Sequence, residues 1–510
     1  MRIQTPSRYA PYGRKSDRIR RRLQRALEAA AAWLGGFLVE GVLLGKILGG
    51  VLWPAALHVL APRLAVMELG FDRDFYLRQF SDERQRERVA RAPLLHYALI
   101  GWRTQRAPAP GFDPAFYQRR TFDRPSGMDP LFHHLGGPDA RKSPRNEVEA
   151  RADRAPWREG AEAVLVFHHG RGGGSSHFLE IYERTIEREG RNVLRARAVL
   201  RAPTLTVVND RTFDLATGLA RLLDFGRRHG VSRIVVNHIV DRPTAMIGWV
   251  RDLAKGLDVP YDVILHDYFM LCPRVDLITG TGEFCDAAPP EACLGCVTKY
   301  GAEAQDFDPL SWRRDHLAFL AGAGCVIAPS RDLATRMQRF LQREIAVWTP
   351  ECESGFPAER IPRLAPDESL RVVTLGALNV AKGVRVVAAL AEAVDKASAL
   401  LDIAVLGGVS EALPASVSVS GPYRSEELGR LLSRASPHLV LLPAIWPETW
   451  SFVLTSALER GLPVVVFDIG APAARLRALG RGHILPVDIS NDAGKLMAAL
   501  LELRQSWIVR

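Results

Sequence analysis

Trp446-Pro447-Glu448-Thr449-Trp450-Ser451, followed by the apolar run Phe452–Arg460 and then Gly461-Leu462-Pro463-Val464-Val465-Val466, is the most informative stretch of this 510-residue chain. Pro463–Asp468 reads as a short buried strand. His438–Pro443 reads as another, and Trp450–Arg460 between them as a helix. A strand–helix–strand unit of this kind predicts parallel strands.

The same alternation runs outward in both directions. Downstream, a helix is expected after Pro472. Upstream, Arg371–Leu378 and Asp402–Gly407 read as strands, and Val384–Val394 and Ser425–Ser433 as helices. Earlier still, Ala163–His168, Arg233–Ile239, Tyr261–His266 and Cys325–Pro329 read as strands, with a helix over Ser176–Arg188. Apolar strands alternating with helices predict parallel sheets covered on both faces. Two such series, joined near Pro357–Asp367, predict an α/β protein with two doubly wound, Rossmann-like domains facing a cleft. Loops at the strand C-termini would line that cleft. The expected division is 160–362 and 366–490, with a C-terminal helix over 491–510.

Four elements in these series carry chemistry. Gly170-Arg171-Gly172-Gly173-Gly174 follows the first strand, where glycines let backbone N–H groups approach an anion at a helix N-terminus. No Gly-Lys-Ser/Thr follows, so it is not a Walker loop. A tight turn without a ligand explains these glycines nearly as well. His266-Asp267 ends the Tyr261–Leu265 strand. His266 either meets a sugar hydroxyl or developing charge, or orders the next loop. Lys382-Gly383 follows the strand that ends at Leu378. An ammonium there can neutralise a leaving diphosphate, or start a helix as an ordinary surface lysine. Glu448 can accept hydrogen bonds from sugar hydroxyls, and Thr449 and Ser451 can hold phosphate. The competing reading makes Thr449 an N-cap and Glu448 a solvated charge.

In this order and spacing the four elements resemble the retaining GT-B glycosyltransferases of glycosyltransferase family 4. The resemblance covers roughly residues 160–500 and includes Ala328-Pro329-Ser330, Gly376, Gly421 with Tyr423, and Glu427-Leu428. It implies transfer of a sugar from a nucleotide-diphosphate donor, with retention of anomeric configuration and no cofactor or metal required at the diphosphate. By it, Lys382 and Gly383, with Gly376, would hold the diphosphate, and Thr449 and Ser451 would lie beside it. Glu448 would bind the donor sugar, and His266 and Asp267 would face the transferred group. Gly172, Gly173 and Gly174 would approach the donor. Three positions depart from the family pattern. Ala377 stands where an arginine is common, Ser456 where a second glutamate binds ribose, and Ala474 where a subgroup has glutamate. A degenerate GT-B protein that binds sugar nucleotide or glycan without turnover is therefore the alternative.

Cys272, Cys285, Cys293 and Cys296 fall in one loop after His266-Asp267. Four cysteines within 25 residues of a chain expected in a reducing compartment fit a structural zinc site. Free thiols or a redox pair are the alternatives. A similar loop occurs in a subgroup of the same transferases.

The N-terminal third has a different character. Residues 1–25 hold nine Lys/Arg and one acid, Asp17, whereas the rest of the chain carries 58 basic and 56 acidic side chains. Charge confined to a tail argues against a nucleic-acid enzyme. Beside the apolar stretch Ala29–Pro62 it suits an anionic membrane surface, contacted through residues 1–62. A solvated tail is the other reading. Glu40, Lys46 and Pro54 break that stretch, so a transmembrane span is the minority expectation. The segment 1–65 is thus read as basic tail and apolar helix, and the location as cytoplasmic, at the inner face of a membrane. Residues 66–150 hold a weak repeat. Phe71-Asp72 with Phe75-Tyr76 recurs as Phe112-Asp113 with Phe116-Tyr117, and Pro93–Tyr97 as Pro130–His134. Either the repeat docks a membrane, glycan or partner, or its aromatics are the core of a small helical appendage. Such repeats resemble segments attached to bacterial surface-glycan transferases, which implies a cell-surface polysaccharide or lipid-linked glycan as acceptor.

Overall fold

The computed structural model describes residues 64–120, 129–136, 155–169, 171–199, 202–209, 211–304, 307–423 and 427–509. The basic tail and the apolar stretch before Pro62 lie outside them. Among the described residues no helix is long and apolar enough to cross a membrane.

The chain is α/β, with two mainly parallel sheets. Eight strands form the first: β1 (Ala163–His168), β2 (Asn192–Val199), β3 (Ala202–Val208), β4 (Arg211–Asp214), β5 (Val231–Val236), β6 (Tyr261–Ile264), β7 (Val326–Ala328) and β8 (Ala346–Val347). Their order is β4-β3-β2-β1-β5-β6-β7-β8. The second sheet holds β9 (Leu370–Leu375), β10 (Leu401–Leu406), β11 (Ser418–Val419), β12 (Leu439–Leu442), β13 (Val464–Phe467) and β14 (His483–Leu485). Its order is β11-β10-β9-β12-β13-β14. The strands β1, β12 and β13 are apolar on both faces apart from His168 at the end of β1, and every residue in them is buried. Strands sandwiched between two helix layers have this composition.

The expectation of a purely parallel first sheet is corrected at one edge, where β3 runs antiparallel to β2 and β4 antiparallel to β3. Only residues 200–201 join β2 to β3. A parallel return needs a crossover of about a dozen residues, so this connection admits only a hairpin. In β2 the charges of Arg195 and Arg197 hide the strand pattern. Both are buried, Arg195 against Glu183 at 2.6 Å and Arg197 against Asp113 at 3.3 Å.

Contacts divide the described residues into two compact units, one running to Asp262 and the other from Val263 onward, with residue 304 counted in the first. In the first unit the N-terminal repeat is a helical appendage, and its aromatics are its core. Tyr76, Phe80, Tyr97, Trp102, Phe112 and Tyr117 pack in one cluster. Each copy is built alike. Asp72 and Asp113 cap the helices that follow, accepting from Phe75 N (2.8 Å) and Phe116 N (2.9 Å). The Tyr76 hydroxyl meets His96 Nδ1 at 2.7 Å, and the Tyr117 hydroxyl meets His133 Nδ1 at 2.9 Å. The appendage is seated on the β2–β3 hairpin, where Phe75 and Ala107 pack with Val199, Ala202, Leu205 and Val207.

In the second unit the helix Val384–Ala397 presents Val384, Val387, Leu390, Ala391 and Val394 to one side of its sheet. The helix Ala493–Ser506 joins the same core through Leu496 and Leu500. The chain then returns along Leu364, bonding Leu364 N to Trp507 O at 3.0 Å and Val509 N to Leu364 O at 3.1 Å.

Candidate functional site

The second sheet changes direction between β9 and β12. From β9 the chain moves outward through β10 to β11, then crosses back to β12 on the other side of β9. At such a switch point the two loops leaving the strand C-termini diverge and open a crevice. Those loops carry Lys382, after β9, and Glu448, after β12.

Their side chains meet there, with Lys382 Nζ 3.0 Å from Glu448 Oε1; the lysine side chain is 42% exposed and the glutamate 9%. Both loops are fixed through the backbone. Asn379 Oδ1 accepts from Lys382 N at 2.9 Å, and Ala381 O accepts from Ile445 N at 2.9 Å. Gly383 has φ +83°, and a Cβ there would lie 2.0 Å from Pro443 O. Gly470 has φ +74°, and a Cβ there would lie 2.6 Å from Glu448 N. Ala471 N donates to Glu448 O at 2.7 Å. Gly470 thus lets the backbone close against Glu448, and Gly383 against Pro443 at the start of the same loop, approaches that a Cβ would block. Gly376 ends β9 at φ +86°, backed by Gly407, whose Cβ would fall 1.8 Å from Gly376 O.

His266 and Asp267 belong to the same unit. The Thr449 hydroxyl donates to His266 O at 2.5 Å. The buried Tyr268 hydroxyl donates to Pro447 O at 3.2 Å, and burial pushes its pKa well up. The His266–Tyr268 turn is therefore tied to the Pro447–Thr449 turn. Asp267 Oδ1 accepts from Phe269 N at 2.8 Å and shapes its own loop. Thr449 is not the N-cap. That position is Ser451, at the start of the Phe452–Leu458 helix, and Ser451 Oγ is buried without a hydrogen-bond partner.

Behind this turn lies a network that the sequence reading did not find. Arg475, on the Gly470–Leu479 helix, is 3% exposed. It donates to Ser451 O (2.8 Å), Thr455 Oγ1 (2.7 Å) and Glu353 Oε1 (2.5 Å), with its guanidinium 3.8 Å above the Trp450 ring. Glu351 Oε2 accepts from Trp450 Nε1 (3.0 Å) and Thr455 Oγ1 (2.5 Å). Burial pulls the Arg475 pKa down, and the neighbouring carboxylates, Glu353 first, oppose that shift. Glu353 lies 122 positions from Arg475, and Ser451 and Thr455 lie 24 and 20 positions before it, so no local motif announces the network.

The glycine loop belongs to the other unit, at the switch point between β1 and β5. Gly172 and Gly173 both adopt positive φ, +73° and +86°. Gly173 precedes the helix Gly174–Arg188, which has no side-chain cap. Three imidazoles gather beside the loop, with His168 and His169 4.3 Å apart and His169 and His238 4.9 Å apart. Arg171 N donates to His169 Nδ1 at 2.9 Å, and Asn237 Nδ2 to His168 Nδ1 at 2.9 Å. Those bonds leave each Nε2 as the N–H that faces Ser175 Oγ (2.7 Å) and Ser176 Oγ (2.9 Å). Arg171 also forks onto Asp241, with Nε to Oδ2 at 2.7 Å and Nη2 to Oδ1 at 2.5 Å. The strand-to-glycine transition signalled this loop, but the second half of the cluster, at Asn237–Asp241, carried no sequence signal.

The four cysteines named for zinc come near one another, Cys272 beside Cys285 and Cys293, and Cys293 beside Cys285 and Cys296. Among the described residues, no group of three or more His, Cys, Asp or Glu side chains is placed to hold a metal ion. Cys272 is buried, and desolvation pushes its thiol up to about 12. The Cys293 thiol donates to Ala288 O at 3.5 Å and lies 3.8 Å from an Arg313 nitrogen.

No protein-family model and no curated protein matches the chain. Among solved structures it is similar to a sucrose-phosphate synthase from Thermosynechococcus elongatus, at 13% identity and a TM-score of 0.44 over 68% of this chain and 91% of that one. It is also similar to Anabaena HepE in complex with UDP-glucose, at 14% identity and a TM-score of 0.40 over 67% and 90%. A third is the lipopolysaccharide outer core galactosyltransferase WaaB, at 9% identity and a TM-score of 0.38 over 67% and 97%. Scores and identities this low say nothing of substrate.

Proposed function

We propose that this chain is a GT-B glycosyltransferase that moves a sugar from a nucleotide-diphosphate donor to a cell-surface polysaccharide or lipid-linked glycan, with retention at the anomeric carbon. The observation that carries the reading is the Lys382–Glu448 pair at the switch point of the second sheet. One crevice there offers a cation for a diphosphate and a carboxylate for sugar hydroxyls.

In this reading Lys382 neutralises the diphosphate as charge builds on its bridging oxygen. Gly376 and Gly383 let backbone approach the phosphates. Glu448 accepts hydrogen bonds from the donor sugar and fixes its orientation. Thr449 holds the His266 turn, and with it the imidazole that meets the transferred sugar. The anomeric C–O bond to the diphosphate breaks, the acceptor oxygen bonds to the same carbon, and the acceptor proton leaves with the nucleoside diphosphate. The basic segment 1–25 would hold the enzyme at an anionic membrane, where a lipid-linked acceptor lies.

The test is thermal stabilisation of the full chain against UDP, GDP, ADP and their sugar conjugates. One diphosphate should raise the midpoint by several degrees, because a ligand at about 100 times its dissociation constant adds about 2.7 kcal/mol. Lys382→Ala should cut the shift to about half or less, the effect of a tenfold or greater loss of affinity at the same ligand concentration. No response to any of these nucleotides would refute the reading.

A further inference from the structure

We infer that Arg475 is a positioning residue for the Glu448 turn, acting through Trp450 and Ser451 rather than by touching a ligand. This deepens the proposed function and rests on it only for the kinetic part of its test. Arg475 bonds the turn at the Ser451 carbonyl, while Lys382 meets the Glu448 carboxylate. Its guanidinium is used on all sides. One edge bonds the carboxylate of Glu353, two nitrogens hold Ser451 O and Thr455 Oγ1, and the flat face covers Trp450. The Trp450 edge is fixed in turn by Glu351, which also takes the Thr455 hydroxyl.

The consequence is local and directional. Trp450 and Ser451 are the two residues between Thr449 and the Phe452–Leu458 helix. Seizing the Ser451 carbonyl and the Trp450 ring fixes where that helix starts, and so where Glu448 stands two residues before Trp450. Only a planar, five-donor cation does all of this at once. A lysine keeps the charge but reaches one acceptor well and stacks poorly. A buried arginine that only stabilised the fold would have no reason to converge on the two residues flanking the site. Arg504, equally buried, bonds Glu368 O and Pro366 O at the far end of the unit.

The experiment compares Arg475→Lys with Arg504→Lys in the full-length protein. The first measurement is hydrogen exchange without ligand. Arg475→Lys should speed exchange at least tenfold across residues 446–456 and leave 384–397 unchanged, whereas Arg504→Lys should leave 446–456 untouched. The second is turnover of UDP-glucose and GDP-mannose. Arg475→Lys should cut kcat at least tenfold with KM changed less than threefold, and should add nothing to the loss in Glu448→Gln. Unchanged exchange at 446–456 overturns the proposal whether or not either sugar nucleotide turns over. Loss that multiplies with Glu448→Gln also overturns it. Absence of turnover by the unmodified protein counts against the transferase reading alone, and the exchange result then decides the role of Arg475.

Discussion

Removing either half of the Lys382–Glu448 pair should move nucleotide binding in opposite directions. At 3.0 Å two unit charges attract by about 1.4 kcal/mol in water-like surroundings, and by roughly 5 kcal/mol at the effective dielectric of a protein surface. The lysine is 42% exposed, so the lower figure governs, and the entropy of holding a long side chain trims the net value below about 1 kcal/mol. Glu448→Gln keeps the shape of the turn but releases Lys382 from a competing carboxylate. UDP should then bind about two- to fivefold more tightly, the factor that corresponds to about 0.4–1 kcal/mol. The same change removes the charged acceptor for sugar hydroxyls, so the advantage of UDP-glucose over UDP should shrink by about 1.5–3 kcal/mol. Lys382→Ala should instead weaken UDP about tenfold or more. It removes the cation and leaves a buried carboxylate facing the incoming phosphates. Isothermal titration of the two variants with UDP and UDP-glucose at low salt is the assay. If both substitutions shift UDP affinity in the same direction, the pair is not a charge that the diphosphate exchanges with, and the reasoning fails.

Three further outcomes follow from other parts of the molecule. His96 is buried and its pKa is lowered to about 4 by desolvation first and Arg106 second; the unfolded chain therefore takes up the proton first. Stability is full above pH 6.5, is lost as pH falls through that value, and levels off below about 4. Urea unfolding should show about 2 kcal/mol less stability at pH 5 than at pH 8 from this group, and His96→Phe should remove that part of the slope. Gly470→Ala places a Cβ 2.6 Å from Glu448 N at φ +74°; it should abolish turnover while lowering stability by roughly 1–3 kcal/mol, read by thermal melting. Phe75→Ala empties a fully buried site against the β2–β3 hairpin and should cost about 3–5 kcal/mol in a denaturant titration.

The strands of both sheets could be read from sequence to within two or three residues wherever they were apolar runs bounded by turn residues. β1 and β12 are of this kind, because burial on both faces leaves little room for polar side chains. The β2–β4 edge was missed because Arg195 and Arg197 look like surface charges. They are buried only because Glu183 and Asp113 arrive from distant segments to pair with them. At the site, Lys382 and Glu448 were legible because each lies in the loop that follows an apolar strand, and the sheet order brings those loops together. Arg475 was not. Its partners Glu353 and Ser451 converge only in the folded chain, and an arginine on an amphipathic helix otherwise reads as a solvated charge. The cysteine spacing was legible as a grouping: Cys272, Cys285, Cys293 and Cys296 come near one another in the fold, although among the described residues no three His, Cys, Asp or Glu side chains are placed to hold a metal ion.

The seating of the appendage on β2 and β3 changes what can be cut from this protein. A truncation starting at the linker would expose Val199, Ala202, Leu205 and Val207 to water and strand Arg197 beside an absent Asp113. It would bare an apolar hairpin beside an antiparallel edge, the kind of surface on which copies of a chain pair with one another. The appendage therefore insulates the sheet margin as a shutter does, and a gene that lost it would need new polar residues along β2 and β3 before its product stayed dispersed.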